Sequence, residues 1–324
     1  MNYQGDEVMA VRTTDVAPAL RPPGPPVTGN AFPGAGVGAF WARGALSPLD
    51  QACLLSFLRR GIKLTLFSYA PLENVPKGIE VADAAAIVPE SLGQRIIYNG
   101  RPDICHFSDF FRYEMIRQRN LTWVDTDVLM IADGDFSGHK NLLISEEPHG
   151  LNNAIIYISD HAFLDHLREE IYDLFDKELR WGETGPNLIK KVNNHLKKPI
   201  ETTNHSYFYP IGYHDIWKIL LPEYFDFCSS RCTNASTLHI FNNILTKIGY
   251  WKQMLPPDGS YLHHVLKENN SLSLFKETYP EDVMRAIVFN FIYRQNGKAL
   301  GIKSIIREFV PSMIRTYRTY YKSR

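Results

Sequence analysis

Between residues 108 and 131 the hydrophobic pattern of the chain changes period. Phe110, Phe111, Tyr113, Met115 and Ile116 fall at spacings that give a helix one apolar side, while Asp109, Arg112, Arg117 and Arg119 remain polar. Leu121, Trp123 and Val124 then lead into Asp125-Thr126-Asp127, and 128–131 continue as an apolar run. The pattern predicts a helix, a tight turn and a buried strand that emerges in two carboxylates. Upstream, 37–41 reads as a first strand and Ser47-Pro48 as a helix start. Leu54, Leu55, Phe57 and Leu58 give that helix its buried side before Gly61 ends it. A second strand over 62–69 completes a β-α-β opening with a right-handed crossover and a parallel pair. Such a sheet binds ligands beyond the carboxyl ends of its strands, which puts Trp41, Ser68 and Tyr69 on the ligand rim.

The remaining pattern is less regular. Pro71, Pro76, Pro89 and Pro102 break up 70–106, leaving one short element over 82–88. Strands are predicted over 142–144 and 154–158, a helix over 161–179 after the N-cap Asp160, and another from Gly185-Pro186 to about residue 196. Residues 207–211 read as an extended edge closed by Pro210. The last third reads as helices over 215–221, 242–248, 261–267, 281–293 and 302–321. Residues 1–37, rich in Pro, Gly, Ala and Val, show no periodic apolar face and are expected to be a disordered leader. The main domain is placed at 38–250 and a helical C-terminal extension at 251–324.

Charge narrows the class. The 324 residues hold 35 Lys plus Arg against 35 Asp plus Glu, a balance that gives no footprint for nucleic acid. Cys53, Cys105, Cys228 and Cys232 are too few and scattered for a disulfide framework, and the last two lack the second pair a zinc site needs. No run of about eighteen apolar residues predicts a membrane span, and the N-terminus lacks the regions of a signal peptide. A cytoplasmic, reducing location is expected.

An acidic pair where a buried strand emerges either caps a turn or meets a cation. Hard oxygen ligands suit Mn²⁺ or Mg²⁺ holding a diphosphate. Ser108-Asp109-x-x-Arg112, then a helix, then Trp123-Val124-Asp125-x-Asp127, resembles the sugar-nucleotide glycosyltransferases with an Asp-X-Asp motif. That group includes bacterial capsular and lipopolysaccharide transferases, the yeast initiating mannosyltransferase and α-1,4-galactosyltransferases, with clostridial glucosylating toxins as distant members. The resemblance runs from about Phe40 to Asn242 and implies an α/β fold, a single Rossmann-like GT-A type domain with a mixed central sheet and C-terminal helical additions. It implies transfer of a hexose from a nucleotide sugar, UDP-linked, to a carbohydrate or lipid-linked glycan, with retention of configuration. With no carboxylate evident as a covalent nucleophile, front-face attack within a tight ion pair is expected.

The resemblance also assigns roles. Asp125 and Asp127 are the metal pair, and alternate residues of an extended segment point the same way. Asp109 and Arg112 face the donor, or else form an ordinary i, i+3 ion pair on the helix. Trp41 stacks on the nucleotide base or packs in the core, with Phe40 and Tyr69 as substitutes. Asn152-Asn153 precedes a strand near the donor sugar or serves a turn, and Gly185-Pro186 faces sugar or simply starts a helix. His239, in His239-Ile-Phe-Asn242, completes the metal shell or binds the leaving diphosphate. Family members have Trp where Phe241 stands.

Two other classes remain in view. A sugar nucleotidyltransferase would carry a Gly-rich basic loop after the first strand, which 44–50 does not resemble. A non-catalytic nucleotide-sugar or glycan-binding relative would lack the acidic pair, which is present. Finally, Lys303, Arg307, Arg315, Arg318, Lys322 and Arg324 interleave with apolar residues in the last helix, a pattern that suits either packing on the domain or peripheral contact with anionic lipid.

Overall fold

In the computed structural model, which describes residues 31–146 and 150–295 together with 311, 313, 314, 317 and 318, the chain opens with the expected β-α-β unit. Strand β1 (Val37–Phe40) is followed by helix α1 (Pro48–Leu58) and strand β2 (Leu64–Ser68). Both strands are buried along their whole length and pair in parallel, Val37 opposite Leu64, as strands covered by helices on both faces do. Ser47 and Asp50 form a capping box at the start of α1, with Pro48 as its first residue. Strand β3 (Glu80–Asp83) extends the sheet in parallel beyond β2.

A short antiparallel hairpin, β4 (Ile97–Tyr98) with β5 (Arg101–Pro102), leads into α2 (Ile104–Arg119). This helix begins earlier than the apolar pattern suggests, because the Asp103 side chain caps it. It stops at Asn120, whose left-handed φ of 55° turns the chain. The apolar side of α2 packs on β1 so closely that a Cβ on Gly38 would lie 2.4 Å from the Met115 sulfur. Strand β6 (Thr122–Val124) then runs parallel to β1, Thr122 opposite Val37.

The apolar run 128–131 does not prolong β6. It forms β7 (Val128–Met130), which the intervening turn diverts out of the central sheet. Strands β8 (Asn141–Glu146) and β9 (Gly150–Ile158) make an antiparallel pair, and β9 is also antiparallel to β6. The central sheet therefore has the order β3-β2-β1-β6-β9-β8 and is mixed. This is the predicted class, an α/β domain built on a mixed central sheet.

Helix α3 (His161–Leu174) ends short of the expected residue 179, because the chain turns back onto the hairpin through Asp176, at a positive φ of 62°. The Asp176 N–H bonds the Arg95 carbonyl at 2.7 Å and the Leu179 N–H bonds that of Ile97 at 2.9 Å. Helix α4 (Pro186–His195) opens at Gly185-Pro186 as expected. Residues 207–211 are not an edge strand: a single helical turn, His205–Tyr207, leads to Tyr209, buried with its hydroxyl against Ile155 N–H at 2.8 Å. Then follow α5 (Phe225–Cys232), β10 (Thr237–His239), α6 (Asn242–Ile248), β11 (Met254–Leu255), α7 (Tyr261–Glu268), β12 (Glu277–Thr278) and α8 (Glu281–Gln295). Strand β10 pairs antiparallel with the diverted β7, His239 opposite Val128.

Among the described residues two hydrophobic clusters result. One joins the central sheet to α2, α3 and α4. The other gathers residues from 211 to 291 against Leu49, Ala52 and Cys53 of α1 and Leu129 of β7, so the C-terminal helices pack on the body. Ala31 and Phe32 are buried, with the Phe32 ring 6.0 Å from Phe57 and 5.4 Å from Phe136. The packed body thus begins before the expected end of the leader, of which residues 1–30 lie outside the described residues. The helix expected over 302–321, and its reading as a lipid-facing element, also lies outside them apart from five positions. Among the described residues no helix is long and apolar enough to cross a membrane.

Candidate metal centre

The turn after β6 is built by backbone bonds on both sides. Asp125 N–H bonds the Ala154 carbonyl of β9 at 2.7 Å, and Val128 N–H closes back on the Asp125 carbonyl at 3.1 Å. Ile240 N–H, just past β10, bonds the Asp127 carbonyl at 3.0 Å. Because β7 pairs with β10, His239 arrives beside Asp127, its Nε2 3.4 Å from Oδ1. The other carboxylate oxygen of Asp127 accepts from Asn242 N–H at 2.7 Å. Asp125 Oδ1 accepts from the Trp123 indole at 2.6 Å and lies 3.4 Å from Arg112 Nη2. Ligand atoms of Asp125, Asp127 and His239 all fall within 4.8 Å of one another. Two ligands on one Mn²⁺ or Mg²⁺, each about 2.1 Å from it, stand roughly 3–4 Å apart. The set needs only slight closure to hold such an ion.

The electrostatics fit a cation as well. Burial pushes Asp125 up to about 6 against the pull of Arg112, and the neighbouring Asp127 adds to the rise. Burial acts on Asp127 too, yet the His239 charge and the hydrogen bonds it receives hold it below the ordinary carboxylate range. Burial alone would lower the His239 ring, but Asp127 raises it, with Asp125 and Glu146 adding. The Asp125 and Asp127 side chains keep 28% and 13% of their surface exposed, so the site is reachable from outside.

Beside this centre stands a second polar group. Asp109 accepts from Asn153 Nδ2 at 2.9 Å and from Thr184 Oγ1 at 2.8 Å, with Arg112 Nη2 at 3.2 Å. Arg112 is only 4% exposed: its Nη1 donates to the Asn153 carbonyl at 2.5 Å, its Nε to the Ser108 carbonyl at 3.3 Å, and its guanidinium carbon lies 4.7 Å from the Trp123 ring centre. The guanidinium therefore turns into the protein, toward two carboxylates, where the resemblance has it facing the donor. Gly185 has a packing reason: a Cβ there would meet Asp109 Oδ2 at 2.7 Å and Asn153 Nδ2 at 3.0 Å.

Trp41 follows β1 on the same sheet edge as Asp125, since β1 and β6 are neighbours. It is partly exposed, and its indole donates to the Gly44 carbonyl at 3.3 Å. Phe40 belongs to the core instead, and Tyr69 packs half-buried against it. Phe40 stacks on Phe111 with ring centres 4.4 Å apart, and the Tyr69 hydroxyl is held by the Val88 carbonyl at 2.7 Å. Asn152 lies between Glu146 Oε1 at 3.1 Å and His239 Nδ1 at 3.5 Å. Sequence reasoning singled out neither Glu146, Thr184 nor Tyr209 as a site residue. Each reaches the site through strand pairing or a loop, and no local spacing signals that.

No family model matches the chain, and no curated protein matches its sequence. Among solved structures it is similar to the PaToxG glycosyltransferase, at a TM-score of 0.34 and 8% identity over 81% of this chain and 86% of that one. A likeness at that level leaves the activity to be argued from the site.

Proposed function

We propose that this chain is a metal-dependent glycosyltransferase moving a hexose from a nucleotide sugar, UDP-linked, to a hydroxyl of a carbohydrate or lipid-linked glycan, with retention of configuration, in bacterial surface polysaccharide synthesis. The observation that carries the reading is the convergence of Asp125, Asp127 and His239, with ligand atoms within 4.8 Å, where the strand next to β1 ends. Ligands bind at that edge of open α/β sheets. One imidazole beside two carboxylates suits Mn²⁺ better than Mg²⁺, because a transition ion takes nitrogen more readily. Held there, the ion would supply Lewis-acid stabilisation of the departing diphosphate.

The chain's own residues do the rest. Asp109, fixed by Asn153 and Thr184, presents its carboxylate to donor hydroxyls. Arg112 neutralises Asp109 and Asp125 and keeps both in place. Trp41 offers a face to the base at the end of β1. Transfer is assigned to front-face attack within a tight ion pair, with no covalent adduct. Contact with the inner face of the cytoplasmic membrane, through the basic C-terminal segment, belongs to the same proposal.

Turnover tests it. Purified chain with Mn²⁺, a UDP-hexose panel and oligosaccharide acceptors should release UDP and form a glycoside whose anomeric configuration, read by NMR, matches the donor. Inversion, a trapped sugar–enzyme adduct, or no turnover of any nucleotide sugar would contradict the reading.

A further inference from the structure

Trp181 is 60% exposed, yet it is held in place from several sides. Its ring stands edge-on to His106, with centres 5.6 Å apart at 87°, and 6.0 Å from Tyr98, which itself packs on His106 at 4.8 Å. The backbone around it is a series of tight turns. Glu183 N–H bonds the Arg180 carbonyl at 3.1 Å, Gly185 N–H bonds that of Gly182 at 3.3 Å, and the Glu183 carboxylate accepts from Arg180 N–H at 2.7 Å. Leaving a large indole in water forgoes the gain of burying it. An exposed aromatic with its orientation fixed in advance is suited to receiving something flat and partly apolar.

Its location joins it to the candidate site by two routes. Along the turn, Trp181 precedes by three residues Thr184, whose hydroxyl bonds Asp109. One residue before Trp181, the Arg180 carbonyl lies 3.2 Å from His106 Nε2. Along α2, the supporting His106 precedes Asp109 by three residues, on the same side of the helix. The loop 180–184 therefore runs along the side of α2 that carries His106 and Asp109, with the indole at the His106 end. Exposed Arg180 and half-buried Glu183 flank it in the chain, and Asn187 Nδ2 donates to the Trp181 carbonyl at 3.5 Å. A pyranose ring matches this arrangement, having a face of C–H bonds to lie on the indole and a rim of hydroxyls to meet the polar edge.

Resting on the glycosyltransferase reading above, we propose that Trp181, backed by His106 and Tyr98, is the stacking face for the acceptor sugar. It thereby selects a pyranose acceptor beside the donor position at Asp109.

Saturation-transfer NMR on the full chain tests this in EDTA and without nucleotide, so that the outcome does not depend on metal or donor binding. The probes are the methyl glycosides of glucose, galactose, mannose and N-acetylglucosamine, together with lactose. At least one should receive saturation, strongest on the axial protons of one ring face. Trp181→Ala should weaken that binding about tenfold or more, and Trp181→Phe, which keeps an aromatic face, should restore part of it. Absence of saturation on every probe, or equal binding by Trp181→Ala and wild type, would overturn the proposal. Either result leaves open the separate measurement of donor binding with Mn²⁺.

Discussion

Arg112 illustrates how one buried cation organises a site. It lies between Asp109 and Asp125, covers the Trp123 ring and bonds the Asn153 carbonyl. Removing one partner of a buried charge pair leaves the other uncompensated, at a cost of about 3–5 kcal/mol. Arg112→Met should lose about that much stability in urea unfolding without metal, and Arg112→Lys less, because it keeps the charge but loses the planar fork. A loss under about 1 kcal/mol for Arg112→Met would mean that the carboxylates find other compensation. The sequence made one charge partner of this side chain legible, Asp109, through the i, i+3 spacing. It did not show that Arg112 turns inward, because that depends on how α2 packs against β6 and on β9, some forty residues on. Trp123, read as an apolar strand residue, likewise has a second role: its indole N–H holds the Asp125 carboxylate of the candidate metal centre.

At the scale of elements, the start of α2 joins the capping of a helix to the acceptor platform. The Asp103 carboxylate accepts from His106 N–H at 2.9 Å and lies 2.8 Å from the ring Nδ1, while Nε2 is 3.2 Å from the Arg180 carbonyl. Both ring partners are acceptors, so the arrangement favours the doubly protonated imidazolium. Burial alone would lower the His106 pKa, but the hydrogen bond and charge of Asp103 outweigh it, and the net shift is upward. A raised folded-state pKa contributes stability that is complete below the unfolded value of about 6.5 and is lost as pH rises through the folded value. Asp103 shifts down, chiefly through its bond to His106, so its share is lost only as pH falls below about 4. Asp103→Asn should therefore cost more stability at pH 5.5 than at pH 8.5, by roughly 1 kcal/mol or about 2–4 °C in Tm. A cost that is flat or grows with pH would refute the pairing. The apolar period placed α2, while its true start depended on a cap outside the periodic stretch. Strand β10 was not read as a strand at all. Its three residues carry too little pattern, and only the pairing with β7 defines it.

Across the whole molecule, the parallel half of the sheet was legible because β1 and β2 are continuous apolar runs separated by a capped helix. The diversion of β7 was not, since an apolar run of that length fits a continued strand equally well. That diversion is what brings His239, more than a hundred residues downstream, to Asp127, and it also joins the C-terminal helices to α1 through the second core. Sequence suggested His239 only through resemblance, and the fold supplies the physical reason for its place. The central claim, that this convergence binds a metal and through it a nucleotide sugar, is tested most directly by ligand-dependent thermal unfolding. UDP- and GDP-sugars, each with and without Mn²⁺, are screened against wild type and Asp125→Ala/Asp127→Ala. A ligand at a hundredfold excess over Kd stabilises by about 2.7 kcal/mol. One nucleotide sugar should raise the wild-type Tm by several degrees only with Mn²⁺, and the double variant should lose that rise. Stabilisation that ignores both metal and the substitutions, or no stabilisation by any nucleotide sugar, would contradict it.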